Sequence, residues 1–115
     1  VCRRAFDVMS QFDVHRNIGR QAAQVPYVVV VQSAAFDARR RRVVVPLVAG
    51  DLLSSEVNLP TSPVNPSFTV EGRRVVLNPL DIVSVSLEAL GPKVASLAEE
   101  GDSVVAALDE VFSRV

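Results

Sequence analysis

Val28 to Leu47 reads VVVVQSAAFDARRRRVVVPL. Two apolar, β-branched runs flank a polar, arginine-rich connection from Ser33 to Arg42. Valine loses rotamer freedom in a helix and packs well on a pleated surface, so each run predicts a strand and the pair a hairpin-like unit. Pro46 lacks a donor N–H and has a locked φ, which predicts a place at a strand end or on an edge.

Toward the N-terminus, Gln11 to His15 alternates in polarity with Phe12 and Val14 on one face, the pattern of a half-buried strand. Arg16 to Gln24 is polar, contains Gly19 and reads as a loop; Pro26 then opens a strand from Tyr27 to Gln32. The third strand runs from about Arg42 to Val48. Beyond it, Gly50 to Val57 predicts a turn or a single helical turn. Asn58 to Pro66, with three prolines and two asparagines, predicts a loop or a weakly structured edge insertion. Ser67–Val70 and Arg74–Leu77 predict a hairpin around Glu71-Gly72-Arg73, where Gly72 can take the positive φ of a tight turn. Ile82 to Leu87 alternates valines with serines and reads as a one-sided strand. No crossover helix separates these five or six strands, so their pairing is mostly antiparallel.

The period then changes. Val94, Leu97, Ala98, Val104, Val105, Leu108, Val111 and Phe112 recur at three and four, which predicts an amphipathic helix with its main segment from Asp102 to Phe112. Asp102 can cap it, Ser96 with Glu99 offers a capping box one turn earlier, and Gly101 is the alternative start. The apolar face packs on the sheet, and Asp109 and Glu110 face water or a partner. The expected fold class is mainly β with a C-terminal helix.

Composition narrows the function classes. A chain of 115 residues holds one domain and can bury a core without disulfides or metals. Its apolar share of 49%, with no tryptophan, makes a core of small branched side chains. The net charge of −1 gives no argument for a nucleic-acid or membrane partner. The distribution is uneven: up to Val48 eight arginines and three aspartates give +5, and beyond it four basic and ten acidic residues give −6. Such asymmetry either orients a partner or a second copy, or reflects two differently solvated surfaces. A lone Cys2 leaves no intramolecular disulfide, and no apolar run approaches the ~20 residues of a membrane span, so a cytoplasmic location is expected. Met9 looks like a natural start, which makes residues 1–8 an upstream extension or a cloning remnant and 9–115 the domain.

Catalytic patterns are missing. His15 is the sole histidine and lies in a predicted strand, where a surface or hydrogen-bonded role is the simple reading. No serine sits in a nucleophile elbow, no cysteine–histidine pair exists, the five glycines make no phosphate loop, and no carboxylate–histidine cluster has metal spacing. Arg39 to Arg42 could contact phosphate but lack interleaved aromatics, and a solvated hairpin tip is the simpler reading. Asp37 beside them is either an acid–base partner or a turn residue. The residues alone describe a small β-rich binding domain with no catalytic residue, metal or cofactor expected.

QFDV (Gln11–Val14), VVVQS (Val29–Ser33), RRVVVPL (Arg41–Leu47), LLSSEV (Leu52–Val57), VSVS (Val83–Ser86) and VASLAEEGD (Val94–Asp102), followed by AALDEVF just before the end, occur in the order and spacing of a known family. The chain resembles CcdB, the toxin of CcdA–CcdB toxin–antitoxin modules of plasmid maintenance, from about Gln11 to Val115. The resemblance implies a small SH3-like β-barrel of the CcdB/MazF type with a C-terminal helix, and a homodimer. It also implies binding to the DNA gyrase A subunit, trapping of the cleaved gyrase–DNA complex, and neutralisation by a CcdA-type antitoxin. No sequence-specific nucleic-acid binding and no membrane partner are implied. By the same resemblance the gyrase-binding positions are Ala35, Phe36, Asp109, Phe112, Ser113, Arg114 and Val115. The best-known members carry Trp-Gly where this chain has Ser113-Arg114, which removes a large anchoring surface and adds charge and bulk. For Phe112 the alternative is a core residue closing the helix, and for Phe36 a loop residue folded onto the sheet. Two other functions stay open: a MazF/Kid-like endoribonuclease built on arginine and acidic side chains, or a homologue that only binds antitoxin.

Overall fold

The computed structural model describes residues 11–33, 40–50 and 65–112. Its strands are β1 (Asp13–Asn17), β2 (Tyr27–Val30), β3 (Arg41–Ala49), β4 (Ser67–Val70), β5 (Arg73–Leu77), β6 (Val83–Ser86) and β7 (Leu90–Ser96), followed by the helix α1 (Gly101–Phe112). All pairs are antiparallel, in the order β4-β5-β3-β2-β1-β7, with β6 joined to β3 off this path.

The valine run after the arginines becomes the spine of the sheet. One edge of β3 pairs with β2, while the other takes β6 along Arg41–Val44 and β5 along Leu47–Ala49. Alternation along β3 sends Val45 and Leu47 into the core with Val14, Val29, Val75 and Leu77. Val44 and Pro46 point to the opposite, outer face. Pro46 therefore lies inside a long strand, not at the end or edge its chemistry suggests. Its backbone faces the gap between the end of β5 and the start of β6, where its carbonyl accepts from Asn78 N–H at 3.0 Å and no partner awaits an N–H from it. The rule against proline in a ladder holds; the interruption is in the neighbouring strands.

The sheet curls into a half-barrel. Glu71 and Gly72 form the tip of the β4–β5 hairpin, both with positive φ (51° and 79°), as a two-residue turn of the primed type demands. That tip reaches across the sheet. Glu71 Oε1 accepts from the Tyr27 hydroxyl on β2 at 2.7 Å, and Oε2 accepts from Arg16 on β1 at 2.8 Å.

Several boundaries shift by a residue or two from those read in the sequence, among them Arg73, which opens β5 instead of ending the turn, and at Phe12 and Val94 the assignment itself changes. Phe12 is not on a strand face: it sits just ahead of β1 with φ 69°, its N–H bonded to Val30 O and its carbonyl accepting from Leu97 N–H. Its ring lies so close to the helix start that a Cβ on Gly101 would sit 2.8 Å from Phe12 Cε2. Gly101 is thus the first residue of α1, and the Ser96 hydroxyl accepts from Ala98 N–H in a 3-10 turn (Ala98–Glu100) ahead of it. Val94, read as part of the helical period, belongs instead to β7, an edge strand beside β1 that carries Pro92 and Lys93. Proline and lysine blunt an exposed edge.

Candidate functional site

α1 lays Val104 and Ala107 on the core, both fully buried, with Leu108 packed beside them. A helix advances 100° per residue, so Val105, Asp109 and Phe112, at i, i+4 and i+7, form a neighbouring stripe roughly a quarter-turn or more round from Val104. All three are exposed, Phe112 to 64%. Phe112 therefore does not close the core. Val105, grouped with the buried face by its period, is 43% exposed and joins the outer stripe. The reason is angular: the sheet covers only the arc held by Val104 and Ala107, and the next residue along points away.

The structure thus brings Asp109 and Phe112 together on one helix face. Ala35, Phe36, Ser113, Arg114 and Val115 lie outside the described residues, as do Asp37 and Arg39.

A second apolar surface lies on the outer face of the sheet, where an open cleft of about 800 Å³ is lined by Val28, Val44, Pro46, Val83 and Val85. Ile18, Leu80 and Val83, each at least half exposed, rim it. The 3-10 turn Pro79–Asp81 that carries Leu80 also packs against α1, so the cleft and the helix share an element. Sequence reasoning missed this surface. VSVS signals a one-sided strand, but which side the valines face depends on the pairing of β6 with β3.

Polar side chains hold the frame around these surfaces. His15 is buried, with Nδ1 2.9 Å from Gly91 O and Nε2 lacking a hydrogen-bond partner. Asp13, also buried, lies 3.2 Å from the Lys93 ammonium. The arginine run is not a uniformly solvated tip. Arg42 is buried, Arg40 pairs with Glu88 at 2.8 Å, and Arg41 bonds Ser84. In the hairpin latch, the bonds from Arg16 and then Tyr27 push the Glu71 carboxyl below its ordinary range. Burial and the bond to Glu71 push the Tyr27 phenol up. With both oxygens engaged, Glu71 is positioned to hold the hairpin rather than to move a proton.

Among the described residues no group of three or more His, Cys, Asp or Glu side chains could hold a metal, and no helix is long and apolar enough to cross a membrane. A search of curated proteins finds no match. A protein-family model, CcdB protein, matches residues 11–113.

Proposed function

The chain belongs to the CcdB family, and on that premise we propose that it is the toxin of a toxin–antitoxin module. In this reading it binds the DNA gyrase A subunit, traps the cleaved gyrase–DNA complex, and is neutralised by a CcdA-type antitoxin. The observation that carries the reading is the exposed Val105–Asp109–Phe112 stripe at the end of α1. A poison of this kind works by preferring one conformational state of its target, so it needs a contact surface and no acid–base group. Phe112 offers the type of aromatic anchor that dominates interfaces, and Asp109 sets a charge one turn before it. Ala35, Phe36, Ser113, Arg114 and Val115 complete the proposed contact on sequence grounds.

The same reading includes a homodimer. The rimmed apolar cleft supports it, because an exposed contiguous apolar patch on a small domain calls for a cover, and a self-complementary contact provides one.

Purified protein added to gyrase, ATP and supercoiled plasmid tests the function. Linear plasmid released by detergent and protease is the expected product. Phe112→Ala should need about tenfold more protein for the same yield, as for loss of an interface anchor. Ser113→Trp with Arg114→Gly should raise the yield with gyrases that accept the Trp-Gly ending. If neither wild type nor the double variant binds any gyrase or linearises plasmid, the proposal falls. RNA cleavage by the same preparation would then point to an endoribonuclease, and antitoxin binding alone to an antitoxin-binding module.

A further inference from the structure

Among the described residues, β6 is bonded along one edge only. Val83 and Val85 exchange backbone bonds with Val44 and Arg42, and Leu87 N–H reaches Arg40 O at 3.0 Å in the same alternation. The backbone groups of Ser84 and Ser86 therefore face away from β3, toward solvent. Valine and serine are the only residues of this strand, so no proline, lysine or inward charge breaks the edge, in contrast to Pro92 and Lys93 on β7. Arg41 lies over it instead. Its Nε donates to Ser84 Oγ at 2.9 Å, and its Nη2 reaches around the strand to donate to the Ser84 carbonyl at 2.7 Å. That carbonyl is an acceptor an added strand would use.

We propose that Arg41 guards the outer edge of β6 against strand addition by a second copy of this chain. VSVS is its own antiparallel complement. With Ser84 of one copy opposite Ser86 of the next, the two Val85 side chains meet on one face, and the outward backbone groups pair twice about a two-fold axis. That face is continuous with the apolar cleft, since Val83 and Val85 line it. A second copy gains the ladder and the Val85–Val85 contact, provided the guanidinium leaves. While it stays, it occupies the Ser84 acceptor and sets a charge where the incoming backbone would lie.

The test compares wild type, Arg41→Ala and Arg41→Ala/Ser86→Pro by sedimentation equilibrium over a range of concentrations, with circular dichroism and thermal melts as the check on folding. Ser86 suits proline: its φ is −75°, and its N–H faces the open edge, so the change removes an edge donor and leaves the β3–β6 ladder intact. Arg41→Ala should associate beyond the wild-type state, at about tenfold lower concentration than wild type, the equivalent of one hydrogen bond. The double variant should return to the wild-type mass. Should Arg41→Ala fail to fold, Ser84→Ala, which removes only the Oγ acceptor that steadies the guanidinium, should raise association in the same sense with smaller amplitude. Unchanged association in a folded Arg41→Ala, or an excess mass that Ser86→Pro does not reverse, overturns the proposal. If only Ser84→Ala folds, unchanged association in it does the same. Because each mass is read against wild type, the outcome is independent of whether wild type is monomer or dimer.

Discussion

A Cβ on Gly91 would sit 2.6 Å from the Arg16 carbonyl oxygen and 2.8 Å from Ile18 Cγ2. The first of these is backbone and cannot swing away. The β1–β7 register shifts on both sides of His15, and the His15–Gly91 bond closes the irregularity. Gly91→Ala should therefore destabilise the domain by about 2 kcal/mol, as for overpacking a tight site, read as a lower urea midpoint with an unchanged slope. The Glu71–Tyr27–Arg16 latch makes a second prediction at this scale. Glu71 titrates lower in the folded state, so its contribution is present above its unfolded pKa and is lost as pH falls through the depressed folded value. Tyr27 titrates above 10.0 when folded, so its contribution is present below that pH and is lost as pH rises through the raised value. Tyr27→Phe should remove the alkaline limb of the stability profile and shorten the acid limb, because Arg16 still holds Glu71. An unaltered alkaline limb in a melt series would contradict the latch.

At the scale of the element, α1 separates packing from contact. Val104 is fully buried and Phe112 is mostly exposed on the neighbouring stripe. Val104→Ala should cost about 2 kcal/mol of stability through lost burial and a residual cavity. Phe112→Ala should change stability by less than about 0.5 kcal/mol, as surface changes do, while it weakens the proposed gyrase contact. Melts of the two variants beside the plasmid assay check this, and a large loss of stability in Phe112→Ala would return that residue to the core. The three- and four-residue period made α1 legible, and of the two starts it offered the structure takes Gly101 over a cap at Asp102. The same period drew in Val94 of β7, because it stands three residues before the buried Leu97 of the turn ahead of α1, a spacing that a strand and a turn can produce by chance. Pro92 and Gly91 hid that strand further: both are poor strand formers, and both are there for edge and crowding reasons visible only beside β1.

Across the whole molecule, the basic first half and the acidic second half meet. Arg16–Glu71, Arg40–Glu88 and Lys93–Asp13 each join one half to the other. Arg16–Glu71 and Arg40–Glu88 follow the charge asymmetry, which thus serves in part to bring distant segments together, while Lys93–Asp13 runs against it. Arg40–Glu88 is largely exposed and worth little at physiological salt; the buried Asp13 and the Tyr27-bonded Glu71 give the other two more weight. The proposed dimer belongs to this scale as well. Leu80→Asp with Val83→Asp places charges on the cleft rim and should shift wild-type dimer to monomer at tens of micromolar, about the range in which weak dimers dissociate. A wild type that sediments only as monomer there removes the dimer reading.

The sequence by itself determined the strand-rich class, a tight hairpin turn at Gly72, the terminal helix and the family, because these depend on local periods, turn chemistry and ordered motifs. It also pointed to Asp109 and Phe112. Only the tertiary structure decided which face each strand buries, since a period of two is the same for either face until the pairing is set. That choice put Val83 and Val85 on an open cleft, buried Arg42, placed Pro46 at a gap between two strands, and turned Arg41 onto the bare edge of β6. None of these is a property of a residue or its neighbours in the chain; each is set by what lies across the sheet.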